Sequence, residues 1–212
     1  MPFIALAFLA AYLVGAIPTA LWVARWFYQL DIRQYGSGNS GATNTFRVLG
    51  KRAGTGVLAF DILKGFLAAF SAHALLRAGL IQPADLVKFQ LALGLTAVLG
   101  HIYSVFAGWK GGKGVASLLG VVVGVAPLPA AACILVFVTV LWFTSYVSVS
   151  SMTGAGAFPL LTWALGPRDP WLLGFGALVA ALVVYTHRVN VSRLRAGTES
   201  KVNPFGRKTN TG

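Results

Sequence analysis

Trp109-Lys110-Gly111-Gly112-Lys113-Gly114 interrupts two apolar runs, residues 87–107 before it and 115–127 after it. The first run has the length of a helix crossing a hydrocarbon core of about 30 Å. The second is shorter and of similar composition. A loop between two such runs lies at a membrane surface. Glycines without a Cβ let backbone N–H groups close on an anion, and two lysines supply the charge that a phosphate or carboxylate neutralises. The hexapeptide reads as an anion cradle at a lipid face.

The rest of the chain fits that setting. Of its 212 residues 10% are charged and 57% hydrophobic, against a charged share of about 25% in soluble domains. An all-α integral membrane protein is expected. Apolar stretches fall at 3–28, 54–78 and 87–107, followed by shorter ones near 115–127, 129–145, 152–166 and 170–187. Pro127 and Pro129 divide the fourth from the fifth, since each lacks an N–H and clashes with the preceding turn. Gly166-Pro167-Arg168-Asp169-Pro170 divides the last two. Seven transmembrane helices, some of them short, are expected, or six if the weak central ones merge. The first stretch is read as a retained span, because it lacks a basic flank and outruns the roughly 7 to 15 apolar residues of a signal peptide.

Seventeen Lys and Arg stand against five Asp and Glu, a formal charge of +12. In a membrane protein such an excess marks cytoplasmic loops more readily than nucleic-acid binding. Thirteen basic residues fall on one side of a seven-span arrangement: Arg25, Arg33, Arg47, Lys51, Arg52, Lys110, Lys113 and the six from Arg188 onward. Arg77, Lys88 and Arg168 fall on the other. The N-terminus is therefore expected outside and the C-terminus in the cytoplasm. Segment 31–52, the Lys-Gly-Gly-Lys loop, the loop 145–151 and the C-terminal segment then share the cytoplasmic face. One domain over 1–201 is expected, with a basic cytoplasmic tail at 202–212.

Each of those segments carries groups that suit oxyanions. Ser37, Asn39, Thr43 and Asn44 are neutral partners around Arg47, whose guanidinium makes a charge-assisted fork with phosphate; alone, the same composition also makes an ordinary turn. The middle loop departs from P-loop spacing, because Gly114 follows Lys113 where Ser or Thr is needed and the preceding run is helical. Alone, its lysines also suit anionic headgroups. His187 and Asn190, three apart, share a face if a last span continues as helix, although a basic segment there also serves as a topology anchor. Ser150 and Ser151 are either phosphate donors or caps for the sixth helix. Within the spans, Asp61 and Lys64 read as a self-neutralising structural pair, with function as the alternative. His101 and Cys133 are assigned to packing.

Two absences narrow the chemistry. The acidic residues are Asp31, Asp61, Asp85, Asp169 and Glu199, with no cytoplasmic two close in sequence. A Mg²⁺–carboxylate cluster is not expected, and no metal or cofactor is assigned. None of His73, His101 or His187 has an acidic residue five positions later, so the His-x4-Asp dyad of the common glycerolipid acyltransferases is missing.

Three motifs in order, Gly36-Ser-Gly-Asn-Ser-Gly-Ala-Thr-Asn44 with Arg47, Gly100-His-Ile-Tyr-Ser-Val-Phe106 running into Lys110-Gly-Gly-Lys-Gly-Val-Ala116, and His187-x-x-Asn190-x-x-Arg193-Leu194-x-x-Gly197-x-Glu199, resemble the bacterial acyl-phosphate:glycerol-3-phosphate acyltransferase family. The resemblance runs from the first span to about Lys201. It implies a seven-helix inner-membrane enzyme with its motifs on the cytoplasmic side, transferring a fatty acyl group from acyl phosphate to the sn-1 hydroxyl of glycerol 3-phosphate. It implies Ser37, Arg47, His187 and Asn190 at the reacting centre. Around the substrates it implies Asn39, Thr43, Asn44, Lys110, Gly111, Gly112, Lys113, Ser150, Ser151, Arg193 and Glu199. The middle motif goes with acyl phosphate, the first and third with glycerol 3-phosphate. It further implies a monomer in the lipid bilayer, working beside the enzyme that makes acyl phosphate, with no cofactor and no nucleic acid. The family's basic residue shortly before the serine pair is not matched, since Ser145 and Tyr146 stand there.

The chemistry of the residues agrees with that resemblance. Both substrates are anions, which a strongly basic face concentrates. Acyl phosphate carries its own leaving group, so alignment and stabilisation of developing charge remain for the protein. In the family a substrate phosphate oxygen takes the hydroxyl proton. His187 is the alternative acceptor and in that role gives kcat an apparent pKa of about 6 to 7. A transporter or channel for an anionic solute is the rival reading. It requires polar groups through several spans or broken helices meeting at mid-depth, whereas the polar groups here gather on one face.

Overall fold

A computed structural model describes residues 2–202. Apart from Val202, the expected tail lies outside the described residues. Every regular element among them is helical.

Helix α1, Pro2–Ala16, is apolar around its circumference and ends where Pro18 removes a backbone donor. Helix α2, Thr19–Tyr28, continues at 45° to it, so the stretch 3–28 is broken rather than one straight span. The break is tied to α3, Ala42–Phe70. Lys64 Nζ donates to the Ile17 carbonyl at 3.0 Å, and Thr19 Oγ1 donates to Asp61 Oδ1 at 3.0 Å. Asp61 and Lys64 themselves pair at 2.9 Å, each 2% exposed. The pair thus joins helices as polar glue, in line with the structural reading.

Segment 31–52, read as a loop, is helical from Ala42 onward. Gly50, at φ 84°, bends the chain and separates the turns carrying Arg47 from the apolar part of α3. Helix α4, Ala72–Arg77, follows, then α5, Leu86–Ile102, and α6, Val115–Val125. Helices α3 and α6 approach closely at Gly65 and Gly120, where a Cβ would run into the backbone of Ser117 and Ile62 respectively.

Helix α7, Pro127–Thr144, opens with the two prolines in its first turn, where a missing N–H leaves no intrahelical bond unmade. Helix α8, Val147–Leu165, converts most of the expected 145–151 loop into helix. Asp169 caps α9, Pro170–Thr186, its Oδ1 accepting from the Trp171 and Leu172 N–H groups at 2.8 and 3.0 Å. Helix α10, Arg188–Arg195, is bent 57° from α9.

Ala42–Arg77, Pro83–Ala107 and Pro127–Thr144 are long and apolar enough to cross a membrane, and α1–α2 and α9–α10 qualify as bent pairs. Helix α6 is short, at 11 residues, and α8 is diluted by hydroxyl residues and glycines. The main core surrounds α6, with Val98, Leu118, Val121, Val122, Phe158 and Val179. Phe143 and Leu160 face outward at 77% and 72% exposure. An apolar exterior over buried Asp61, Lys64 and His101 suits a protein whose solvent is lipid.

Candidate active site

The four polar segments meet at one cavity of about 410 Å³. Ser37, Asn39, Thr43, Asn44 and Arg47 border it from the first segment, Lys113 from the middle loop and Ser151 from α8. His187, Asn190, Arg193 and Glu199 border it from the α9–α10 bend and beyond. Between the helices the lining turns apolar, with Leu58 and Ile62 of α3, Leu118 and Val122 of α6, Phe137 of α7, Phe158 of α8 and Val183 of α9.

Hydrogen bonds join the third motif to the other two elements at its side. Lys113 Nζ donates to Asn190 Oδ1. Asn190 Nδ2 donates to Glu199 Oε1 at 2.7 Å, and Ser148 Oγ donates to the same oxygen at 2.8 Å. Glu199, expected around a substrate, borders the cavity, and its carboxylate, an acceptor only, orients Asn190. Burial holds the Lys113 ammonium down at about 8, with the Arg193 and Arg47 charges adding to the effect and Glu199 opposing it. His187, just past the end of α9, donates from Nδ1 to the Val183 carbonyl at 2.8 Å, which leaves Nε2 as the ring's acceptor. Arg47 forms no ion pair with a described carboxylate.

Several expected contacts take another form. Asn44 borders the cavity, but its amide is committed to the glycine-rich loop: Oδ1 accepts from the Ser37 N–H at 2.9 Å, and Nδ2 donates to the Ile32 and Tyr35 carbonyls at 3.1 and 3.0 Å. It shapes the loop that carries Ser37 and Asn39. The Gly111 and Gly112 N–H groups, expected to close on an anion, donate to the Ile102 and His101 carbonyls at 3.0 and 3.1 Å. These are carbonyls that the end of α5 leaves without helical partners. The missing Cβ atoms serve that same packing, because a Cβ on Gly111 would run into the His101 carbonyl and one on Gly112 into the His101 ring. Lys110, Gly111 and Gly112 border a second, smaller cavity rather than the large one, and Lys113 borders both.

Ser150 Oγ donates to the Tyr146 carbonyl at 2.8 Å and does not line the large cavity. Ser148 and Ser151, three apart on one face of α8, do line it. Helical spacing points to Ser148, a signal hidden by reading that segment as a loop. Asp61 and His101 also border the cavity. His101 Nδ1 lies 3.7 Å from Asp61 Oδ1 and 3.2 Å from Ser117 Oγ. An assignment of His101 to packing alone misses this, although an ionisable group inside an apolar run is itself a signal.

Comparison with known proteins places this geometry. The chain matches the family described as glycerol-3-phosphate acyltransferase over residues 5–197. A glycerol-3-phosphate acyltransferase from Chlorobaculum parvum is 41% identical over 226 aligned residues, covering 94% of this chain and 96% of the relative. One from Fusobacterium nucleatum is 42% identical over 191 residues, covering 90% and 93%. The crystal structure of PlsY (YgiH), an integral membrane glycerol 3-phosphate acyltransferase, in its glycerol 3-phosphate form matches with a TM-score of 0.84 at 36% identity, covering 94% of this chain and 96% of that one. Its lysophosphatidic acid form matches at 0.81, also at 36% identity, covering 94% and 95%. The chain belongs to the glycerol-3-phosphate acyltransferase family and is an integral membrane acyltransferase.

Proposed function

We propose that the chain transfers a fatty acyl group from acyl phosphate to the sn-1 hydroxyl of glycerol 3-phosphate, releasing 1-acyl-glycerol 3-phosphate and inorganic phosphate. The observation that carries this reading is a single cavity with a cationic, hydroxyl-bearing end and an apolar depth. It suits one amphipathic donor, chain among the helices and phosphate at Lys113, with a small polar acceptor beside it. Glycerol 3-phosphate as that acceptor is supported by the names of the relatives.

Arg47 takes the acceptor's phosphate, because a guanidinium fork engages two of its oxygens at once. Lys113 takes the donor's phosphate, and Ser37, Asn39, Thr43 and Ser151 complete the polar shell. The sn-1 hydroxyl attacks the acyl carbonyl, the bond from that carbon to the phosphate oxygen breaks, and the hydroxyl proton passes to the departing phosphate. His187 orients the hydroxyl through Nε2, and Asn190, held by Lys113 and Glu199, stands beside it. Alignment and cations near the developing charge then supply the catalysis. For a chain of seven crossings, the excess of Lys and Arg around the polar end supports an N-terminus outside and this end in the cytoplasm, at the inner membrane. A monomer working beside the enzyme that makes acyl phosphate completes the reading.

The test is turnover of the purified protein in detergent with glycerol 3-phosphate and, as separate donors, acyl phosphate, acyl-CoA and acyl carrier protein. Acyl phosphate alone should support product, with and without EDTA. Equal rates with a thioester donor would overturn the reading.

A further inference from the structure

A second cavity, about 210 Å³, lies between the 109–113 loop and the α9–α10 bend, and Lys113 borders both cavities. Its charged lining consists of Lys110, Lys113 and Arg188, and no described carboxylate lines it. Lys113 is turned to the Asn190 amide and feels the Glu199 charge, whereas Lys110 and Arg188 border the space with no carboxylate beside them and repel one another unless an anion sits between.

The backbone that carries Lys110 and the side chain of Arg188 are held in place. The Trp109 N–H donates to the Ser104 carbonyl at 2.7 Å, and the Gly111 and Gly112 N–H groups pin the next residues to the end of α5. Trp109 adopts φ 64°, a left-handed conformation that is uncommon for a bulky residue and persists only where the surroundings impose it. Arg188 Nη1 donates to the Tyr185 carbonyl at 3.2 Å, and its guanidinium lies 4.6 Å from the Tyr185 ring centroid. Lys110 has no carboxylate partner among the described residues. Tyr103, Trp109 and Tyr185 also line the cavity and are exposed at 42%, 62% and 53%, as aromatic residues are at headgroup depth.

We propose that this second cavity, which shares only Lys113 with the large one, binds a phosphate group through Lys110 and Arg188. A tetrahedral oxyanion suits it because an ammonium and a guanidinium fork together satisfy several oxygens. Two sources carry that chemistry: free inorganic phosphate, or the phosphodiester of an anionic phospholipid. Release of phosphate by the enzyme itself rests on the proposed reaction; the binding does not.

The full chain in detergent is therefore tested without turnover. Equilibrium binding of radiolabelled inorganic phosphate and retention of phosphatidylglycerol against phosphatidylcholine in native mass spectrometry are measured on four proteins. These are the native chain, Arg47→Ala, Lys110→Gln with Arg188→Gln, and Lys110→Arg. At least one probe should bind the native chain, Arg47→Ala and Lys110→Arg, and bind at least tenfold more weakly to the double variant at an unchanged melting temperature. Phosphate alone behaving so identifies the free ion, and phosphatidylglycerol alone identifies the headgroup. Should the double variant melt early, the Lys110→Gln and Arg188→Gln single variants take its place, each expected to weaken binding at least threefold. Neither probe bound by the native chain, binding unaffected by the charge removals, or binding lost only in Arg47→Ala would overturn the proposal.

Discussion

Lys113 donates its ammonium to the Asn190 side-chain oxygen, a bond between residues 77 apart in the chain. It couples the loop before α6 to the helix after α9, and Glu199 accepts from the other end of the same amide at 2.7 Å. The middle and third motifs are therefore one unit at the polar end of the cavity, and Lys113 is its charge.

Lys113→Ala should lower kcat/KM for acyl phosphate at least tenfold, about 1.4 kcal/mol, through loss of the donor's phosphate contact. Because burial holds this ammonium at about 8, kcat/KM should be level below that pH and fall as pH rises through it. Lys113→Arg, which stays charged, should remove that alkaline limb even if it is slower. An unchanged limb in Lys113→Arg would assign the titration to another group.

His187 should not produce a limb at pH 6 to 7. Its Nδ1–H is committed to the Val183 carbonyl, and in the proposed step the departing phosphate takes the hydroxyl proton, so turnover requires no titration of this imidazole. His187→Gln should reduce kcat while leaving the profile from pH 5.5 to 8 unaltered. A limb near 6.5 in the native enzyme that disappears in His187→Gln would restore it as the general base.

Gly111→Ala and Gly112→Ala should destabilise the protein as well as slow it, because the added Cβ meets the His101 carbonyl or ring. The expected cost is roughly 0.5 to 3 kcal/mol, read as a lower melting temperature in detergent. Normal melting with only a raised KM for acyl phosphate would return these glycines to direct contact with the donor.

Breaking the buried Asp61–Lys64 pair from one side should cost about 3 to 5 kcal/mol. Asp61→Leu and Lys64→Met each strand a charge that is 2% exposed; the double variant should recover part of the loss, as detergent or urea unfolding would reveal. Additive losses would mean that the pair acts through Ile17 and Thr19 separately.

Arg47→Lys should lose at least tenfold in kcat/KM for glycerol 3-phosphate, since an ammonium cannot reproduce a two-point fork. Near-native kinetics in that variant would remove Arg47 from the acceptor's phosphate.

What the amino-acid order determined by itself is local. Long apolar runs and their Pro and Gly interruptions place the chain in lipid, and the boundaries at Pro127 and at Asp169-Pro170 coincide with helix starts, because hydropathy and backbone-donor loss act over a few neighbouring residues. The three motifs were legible for the same reason. Tertiary structure decided which of their atoms remain available. The Asn44 amide and the Gly111 and Gly112 N–H groups are consumed by carbonyls that only the folded chain brings near. Ser148 faces the cavity and Ser150 does not, because the turn after Ser145 is helical. Asp61 and His101 reach the cavity wall through the rotation of α3 and α5. Rotation, bending at Gly50 and the partner of a buried polar group depend on residues tens of positions away, through packing and hydrogen-bond satisfaction that no local pattern records.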